Sequence, residues 1–436
     1  MKRRDFIGTG LLGAPALAIR TARAAAAPPS FLFVIADQLS MDAITAHGNR
    51  FVRTPNLDRL ARAGVSFRDS YTTYPLCSPA RSSMFTGRMP SETGVITNGL
   101  PIRAGIPNLG QWLGARGYEA VYAGKWHVPN GYTGDIPGFT VLPGGFTGQG
   151  NVGDAAVSRA CQAWLHERSG AKPFFLVASL LQPHDICTWV ATHNRPAPWE
   201  KMARIDGPLP PLPANFGFDA REPGSLRSER RPRWSADQWR YYLWSYYHHV
   251  EMVDAEIGRI LDALEDTGHA KITLVVMTSD HGEGSGHHQM VLKNYLYDEA
   301  AKVPLLVSLP GQTPAGRQDT AHMASGLDIT PTICDYAGVA APPAMTGRSL
   351  RPLIEGRNTA WREAVFAEVA RGGRMVRTAE AKYIVYPNDP VEQLFDWRAD
   401  VAETRNVATE SKYAGTLDSH RRLLKDWESR LDIARG

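Results

Sequence analysis

The chain has 436 residues, 43% of them hydrophobic and 21% charged, with a formal net charge of +4. That charge sits in the first 27 residues, where Lys2, Arg3, Arg4, Arg20 and Arg23 oppose Asp5. The remainder is near neutral, so no global field draws nucleic acid and any attraction for anions has to be local. The length suffices for one large domain, or a large one and a small one.

The opening stretch MKRRDFIGTGLLGAPALAIRTARAAAA reads as a twin-arginine export signal, with cleavage near residues 24–27. Its apolar part is too short for a membrane span, and no cysteine follows it to carry a lipid. The expectation is a periplasmic or secreted protein without a membrane anchor. Residues 1–27 are read as the signal, 28–350 as one large domain and 351–436 as a C-terminal subdomain.

FLFVIAD at 31–37 is an apolar run closed by an acid, the pattern of a buried parallel strand that delivers Asp37 to its carboxyl end. TPNLDRLARAG predicts a helix with a glycine stop. In LCSPARSSMFTGR, Pro79 suits a first helical turn and Gly87 a C-terminal stop, so Cys77 falls at a helix N-terminus. There the free N–H groups and dipole favour an anion or an activated nucleophile. Arg81 lies one turn along on the same face, able to turn its fork toward Cys77. Asn98 follows in a turn-like Asn–Gly. In AVYAGKWHV, Lys125 and His127 are two apart on an extended backbone and can enter one site. PFFLVASLLQPHD predicts a second buried strand, ending near His184. Residues 187–234 are rich in Pro and Arg without periodicity and predict a long irregular loop. Ser235 and Gln238 form a capping box for a long helix whose aromatics face the core. KITLVVMTSDHGE predicts a third strand, carrying Asp280 and His281 to its end. Lys293, Lys302, His287 and His288 follow. Beyond 355, four strand-like pieces and a basic amphipathic helix predict a small antiparallel α+β unit. Cys161, Cys187 and Cys334 allow one disulfide and require none.

CSPAR followed by small residues and TGR resembles the C-x-P-x-R signature of the type I sulfatases of the alkaline phosphatase superfamily. Asp-Gln, Gly-Lys-Trp-His, Pro-His and Asp-His-Gly stand in that family's order on the strand ends. The resemblance implies an α/β/α sandwich with a mainly parallel sheet, and oxidation of Cys77 to formylglycine by a formylglycine-generating enzyme. It implies that Asp37, Gln38, Asp280, His281 and residue 77 hold a divalent cation. Mostly oxygen ligands point to Ca²⁺, with Mg²⁺ or Mn²⁺ as alternatives. Lys125, His184, Lys293 and Asn98 would contact the sulfate, with Lys293 preferred to Lys302, and His184 or His281 would protonate the leaving oxygen. His127 would be the base that releases it, and Arg81 would orient the nucleophile. The implied activity is hydrolysis of a sulfate ester, a sulfated carbohydrate first and a sulfated small molecule otherwise. Gln38 and His281 replace the commoner Asp and Asn, a variant shared with phosphonate monoester and phosphodiester hydrolases, which form the second reading. A non-catalytic anion- or glycan-binding protein with unmodified Cys77 is the third.

Overall fold

The computed structural model describes residues 28–129, 134–143, 148–170, 172–193, 208–217, 219, 221–227 and 231–433. The export signal expected at 1–27 lies outside the described residues, as do 194–207 of the expected long loop. Eight strands form the main sheet: β1 (Ser30–Asp37), β2 (Val65–Tyr71), β3 (Glu119–Gly124), β4 (Thr140–Val141), β5 (Phe174–Pro183), β6 (Thr273–Ser279), β7 (Leu305–Ser308) and β8 (Arg317–Ser325). Their order is β4-β3-β5-β1-β6-β7-β2-β8. From β4 to β6 every pairing is parallel, and β7 alone runs against both of its neighbours.

Strand β1 explains the layering. Alternate side chains point to opposite faces, and here both sets are apolar and buried. Leu32, Val34 and Ala36 join one core with helices Pro55–Ala63, Gly150–Glu167 and Ala236–Asp266. Phe31, Phe33 and Ile35 join the other with helices Cys77–Thr86 and Ile329–Ala337. The result is the expected sandwich of helices on both faces of a mainly parallel sheet. Helix Ala236–Asp266 opens with the expected capping box, Ser235 and Gln238 answering each other's backbone N–H groups at 3.3 and 2.7 Å.

The described parts of the stretch 187–234 hold more structure than its sequence pattern predicts. Helix Ile186–His193 crosses its start with Ile186 and Val190 in the core, and Gly224–Arg227 forms a further turn. Leu212 and Phe216 also pack on the core, and Arg240 donates to the carbonyls of Leu209 and Pro210, both at 3.0 Å. Tertiary contacts hold what local periodicity does not announce. The second sheet is antiparallel: β9 (Ala364–Val369), β10 (Gly373–Thr378), β11 (Ala381–Val385) and β12 (Gln393–Asp396) in the order β12-β11-β10-β9. Helix Ala414–Glu428 covers it through Leu417, Leu424 and Trp427. The four cysteines are unpaired.

Candidate active site

Adjacent parallel strands β3, β5, β1 and β6 end on the same side of the sheet, where open α/β folds take their ligands. Lys125 follows β3, His184 follows β5, Asp37 ends β1 and Asp280 follows β6. Two glycines permit this. Gly124 has φ +95°, and a Cβ there would stand 2.0 Å from the Ser179 carbonyl oxygen. A Cβ on Gly282 would stand 1.9 Å from that of Glu299, so the chain after Asp280 and His281 passes where only glycine fits.

Arg81 is fully buried and ties the strand ends together. Its Nη2 donates to Asp37 Oδ2 at 3.0 Å and its Nε to Asp280 Oδ2 at 2.9 Å. Its Nη1 donates to the Lys125 carbonyl and Ser179 Oγ, both at 2.7 Å. The fork therefore braces the carboxylates, whereas helix-face reasoning had it turn toward Cys77. Lys125 Nζ lies 2.6 Å from Asp37 Oδ2. With cations on the Oδ2 atoms, the Oδ1 atoms turn inward. Asp37 Oδ1 lies 3.8 Å from Cys77 Sγ and 3.9 Å from His281 Nε2, and Asp280 Oδ1 lies 3.7 Å from the same nitrogen. Cys77 Sγ is 3.3 Å from His281 Nε2. His281 Nδ1 faces the Gly282 carbonyl at 2.9 Å, which fixes the proton there and leaves the Nε2 lone pair for the cluster in the neutral ring. One donor atom from each of Asp37, Cys77, Asp280 and His281 lies within 4.8 Å of all the others, and all four residues are buried. The donor set fits a divalent cation, with Sγ standing where the hydroxyl oxygens of a hydrated formylglycine would be.

The electrostatics follow from this crowding. Burial works to raise the Asp37 carboxyl, yet Lys125, His184 and Arg81 hold it well below the usual carboxylate range. Burial and Asp37 oppose ionisation of Cys77, but Lys125, Lys293 and His281 pull it well below an ordinary thiol. For His184, burial and the two lysines oppose protonation, while Asp37 and Cys187 favour it, and its pKa is raised to about 9. The ring is therefore favoured in its protonated form at neutral pH.

The remaining expected residues fall into two groups. His127 sits at φ 62°, its carbonyl accepting from Ser78 Oγ, so it is pinned to the first turn of the Cys77 helix. Asn98 Oδ1 accepts from the Ser78 N–H at 3.0 Å and caps that helix from its exposed side. Lys293 Nζ donates to Gln38 Oε1 and lies 3.5 Å from Cys187 Sγ. Gln38 departs from the expected ligand role. Its amide donates to Glu283 and its oxygen accepts from Lys293 and Cys187, so its backbone N–H is what meets Asp280, at 3.1 Å. Lys302 lies outside this group, paired with Asp69 at 2.6 Å. His287 pairs with Glu299 at 3.1 Å, and His288 stacks on Tyr297.

Several contributors were not foreseen. Glu283 holds Gln38 and accepts from the Tyr242 hydroxyl. Ser179 receives Arg81. Asp154 accepts from the backbone N–H groups of Leu181 and Gln182 at 2.6 and 2.7 Å, fixing the strand end that carries His184. Cys187, one helical turn after His184, borders Lys293. Only the acid-rich text of SDHGEG hinted at any of them.

Comparison with known proteins accords with this geometry. The sulfatase family model matches residues 29–339, and the model described as N-sulphoglucosamine sulphohydrolase, C-terminal, matches 286–429. A Delta 4,5-hexuronate-2-O-sulfatase of Bacteroides thetaiotaomicron is 31% identical, over 92% of this chain and 89% of its own. The solved structure of a 2-O GAG sulfatase superposes with a TM-score of 0.84 at 29% identity, covering 92% of each chain. A phosphonate monoester hydrolase of Agrobacterium radiobacter superposes at 0.77 with 26% identity, over 92% of this chain and 96% of its own. The chain belongs to the sulfatase family, enzymes that hydrolyse sulfate esters. No helix among the described residues is long and apolar enough to cross a membrane.

Proposed function

We propose that this sulfatase removes sulfate from a sulfated carbohydrate, with residue 77 as formylglycine and a divalent cation, Ca²⁺ first, held by Asp37, Asp280, His281 and residue 77. The observation that carries the reading is the inward convergence of two Oδ1 atoms, an imidazole lone pair and position 77, while cations occupy the outer carboxylate oxygens. The relatives' names, a hexuronate sulfatase and a GAG sulfatase, support the carbohydrate.

When bound, the cation would supply Lewis-acid polarisation of the sulfate, and the hydrated aldehyde a nucleophile that can be regenerated. The chain's own residues do the rest. Arg81 and Lys125 fix the Asp37 and Asp280 carboxylates, so the ligand oxygens are aimed before anything binds. Lys125 and Lys293 offset charge growing on the sulfate oxygens. His184, protonated below about pH 9, gives its proton to the leaving alkoxide oxygen. His127 takes a proton from the hydroxyl of residue 77, which releases sulfate. Cys77 would have been oxidised by a formylglycine-generating enzyme. Residues 28–350 would form the catalytic domain and 351–436 its subdomain, in a protein exported by the signal at 1–27.

The test joins mass spectrometry of the peptide around residue 77 with a panel of sulfate and phosphonate esters. An aldehyde at 77 and a preference for sulfate of about a hundredfold, about 2.7 kcal/mol, uphold the reading. An unmodified cysteine removes the nucleophile. A preference for phosphonate moves the chain to the second reading, which Gln38, His281 and the superposition on a phosphonate monoester hydrolase favour.

A further inference from the structure

Where the main body meets the second sheet, a cavity of about 570 Å³ opens between the segment around residues 346–366 and helix Ala414–Glu428. It is distant from the catalytic centre. Met89 lines it, just past the C-terminal end of helix Cys77–Thr86, and the neighbouring Thr346 N–H donates to the Gly87 carbonyl at 3.1 Å. Ten helical residues rise about 15 Å, so Cys77 and the cavity stand at opposite ends of one helix.

The lining has a chemistry of its own. Trp361 is oriented by its Nε1, which donates to the Met323 carbonyl at 2.8 Å. The guanidinium carbons of Arg348 and Arg362 lie 5.3 and 5.0 Å from its ring centre. Phe366 and Trp427 stack at 4.8 Å as an apolar floor, and Arg430 stands on the rim. Arg362 is paired with Asp328 at 2.5 Å. Arg348 and Arg430 are exposed, and among the described residues neither guanidinium is ion-paired: the Arg348 backbone N–H donates to Asp328 at 2.8 Å and Arg430 Nε to the Asp426 carbonyl at 3.0 Å. Among the described lining residues Glu363 is the one acid, against Arg348, Arg362 and Arg430, so this lining is net positive. Guanidinium forks held by an indole face are preorganised for planar or tetrahedral oxyanions, and stacked aromatic rings offer a face to a pyranose ring. The volume lies within the range of pockets built for small ligands.

We propose that this groove is an accessory binding site for an acidic oligosaccharide, with Arg348 and Arg430 taking its sulfate or carboxylate groups. The proposal rests on the carbohydrate reading above, since it assigns the groove to the same class of polymer. It would hold a long chain on the enzyme while a different part of that chain occupies the catalytic centre, raising the effective concentration there.

The test uses the full chain carrying Cys77→Ala, so that nothing is turned over, titrated calorimetrically with a heparin hexasaccharide and with a neutral cello-oligosaccharide of equal length. The expected result is binding of the acidic probe alone, weakened about tenfold by the pair Arg348→Ala and Arg430→Ala and restored in part by lysine at both positions. With Cys77 intact, the alanine pair should leave hydrolysis of 4-nitrophenyl sulfate within about twofold of the parent. Unchanged affinity in the alanine pair, or equal binding of the neutral probe, overturns the proposal. If residue 77 of the parent carries no aldehyde while the arginine-dependent binding remains, the catalytic reading fails and the groove stands.

Discussion

Around Lys382 and around Arg81 the molecule buries charge in two different ways. Lys382, on β11, reaches into the main body and lies 2.8 Å from Asp298 and 2.7 Å from Glu403. The Asp298 N–H donates to Glu403 at 2.7 Å, and the Tyr71 hydroxyl donates to Asp298 at 3.3 Å. Burial, against the pull of Lys382, pushes Glu403 up to about 8, and Lys302 stands 3.9 Å from the other Asp298 oxygen, so the carboxyls of this cluster are taken up by lysines. The Arg81 cluster is left open. Its cations meet the outer oxygens of Asp37 and Asp280, and the inner oxygens face a histidine lone pair and position 77. Burial and ion pairing are common to both. What sets the Arg81 cluster apart is that one donor atom from each of Asp37, Cys77, Asp280 and His281 lies within 4.8 Å of all the others.

That contrast can be broken most severely at residue 77. Cys77→Ala should lower kcat/KM on a sulfate ester by about 10⁴-fold or more while leaving the thermal midpoint nearly unmoved, because the residue is part of no closed network. Next in size is a pH effect at Asp154, a buried carboxyl that serves the active strand end without belonging to either cluster. Burial, with Asp185 and Glu256, pushes it up to about 7, against the backbone N–H groups of Leu181 and Gln182. The folded chain holds a proton that the unfolded chain, with a pKa near 3.9, releases. Stability from this group is therefore full below about pH 4 and is lost as pH rises through 7, by up to about 4 kcal/mol. Calorimetry across that range should show the decline in the parent and a flatter profile in Asp154→Asn. At the closed cluster, Lys382→Met should cost about 3 kcal/mol in denaturant unfolding and leave kcat within twofold, the reverse of the result at residue 77. The smallest effect is expected at Glu283→Gln. Releasing Gln38 and Tyr242 should lower kcat/KM about tenfold, as loss of a supporting partner does, with little change in stability.

The sequence made one side of this comparison legible and hid the other. Asp37, Lys125, His184 and Asp280 could be found because each follows a short apolar run, and a parallel strand can place such a residue only at its carboxyl end. Cys77 was visible through Pro79 and Gly87, which bracket its helix. The antiparallel unit was readable from its four alternating pieces, and β9 to β12 fall within them. The direction of Arg81 was not readable. Helical spacing gives the face a residue occupies, and its partners come from strands whose positions only the folded sheet defines. The partners of the Gln38 side chain were equally hidden, since Glu283 is 245 residues away in the chain. Asp154 and Lys382 carry no local pattern. The helix at Ile186–His193 was missed because its order derives from Ile186 and Val190 against the core rather than from periodicity.

The burial of Cys77 also sets an order of events. Its side chain is 1% exposed, at the start of a helix whose ten residues are all buried, beneath strand ends bound to one another by Arg81. No second protein can grasp that peptide once the sheet has closed over it. On the proposed chemistry, oxidation of residue 77 would therefore have to win a race against folding, and a chain that folded first would be locked out of activity while being correctly folded. Two populations with the same melting curve and different specific activity would be the signature of that proposed race, and their ratio would follow the supply of an oxidising partner during synthesis rather than any later treatment.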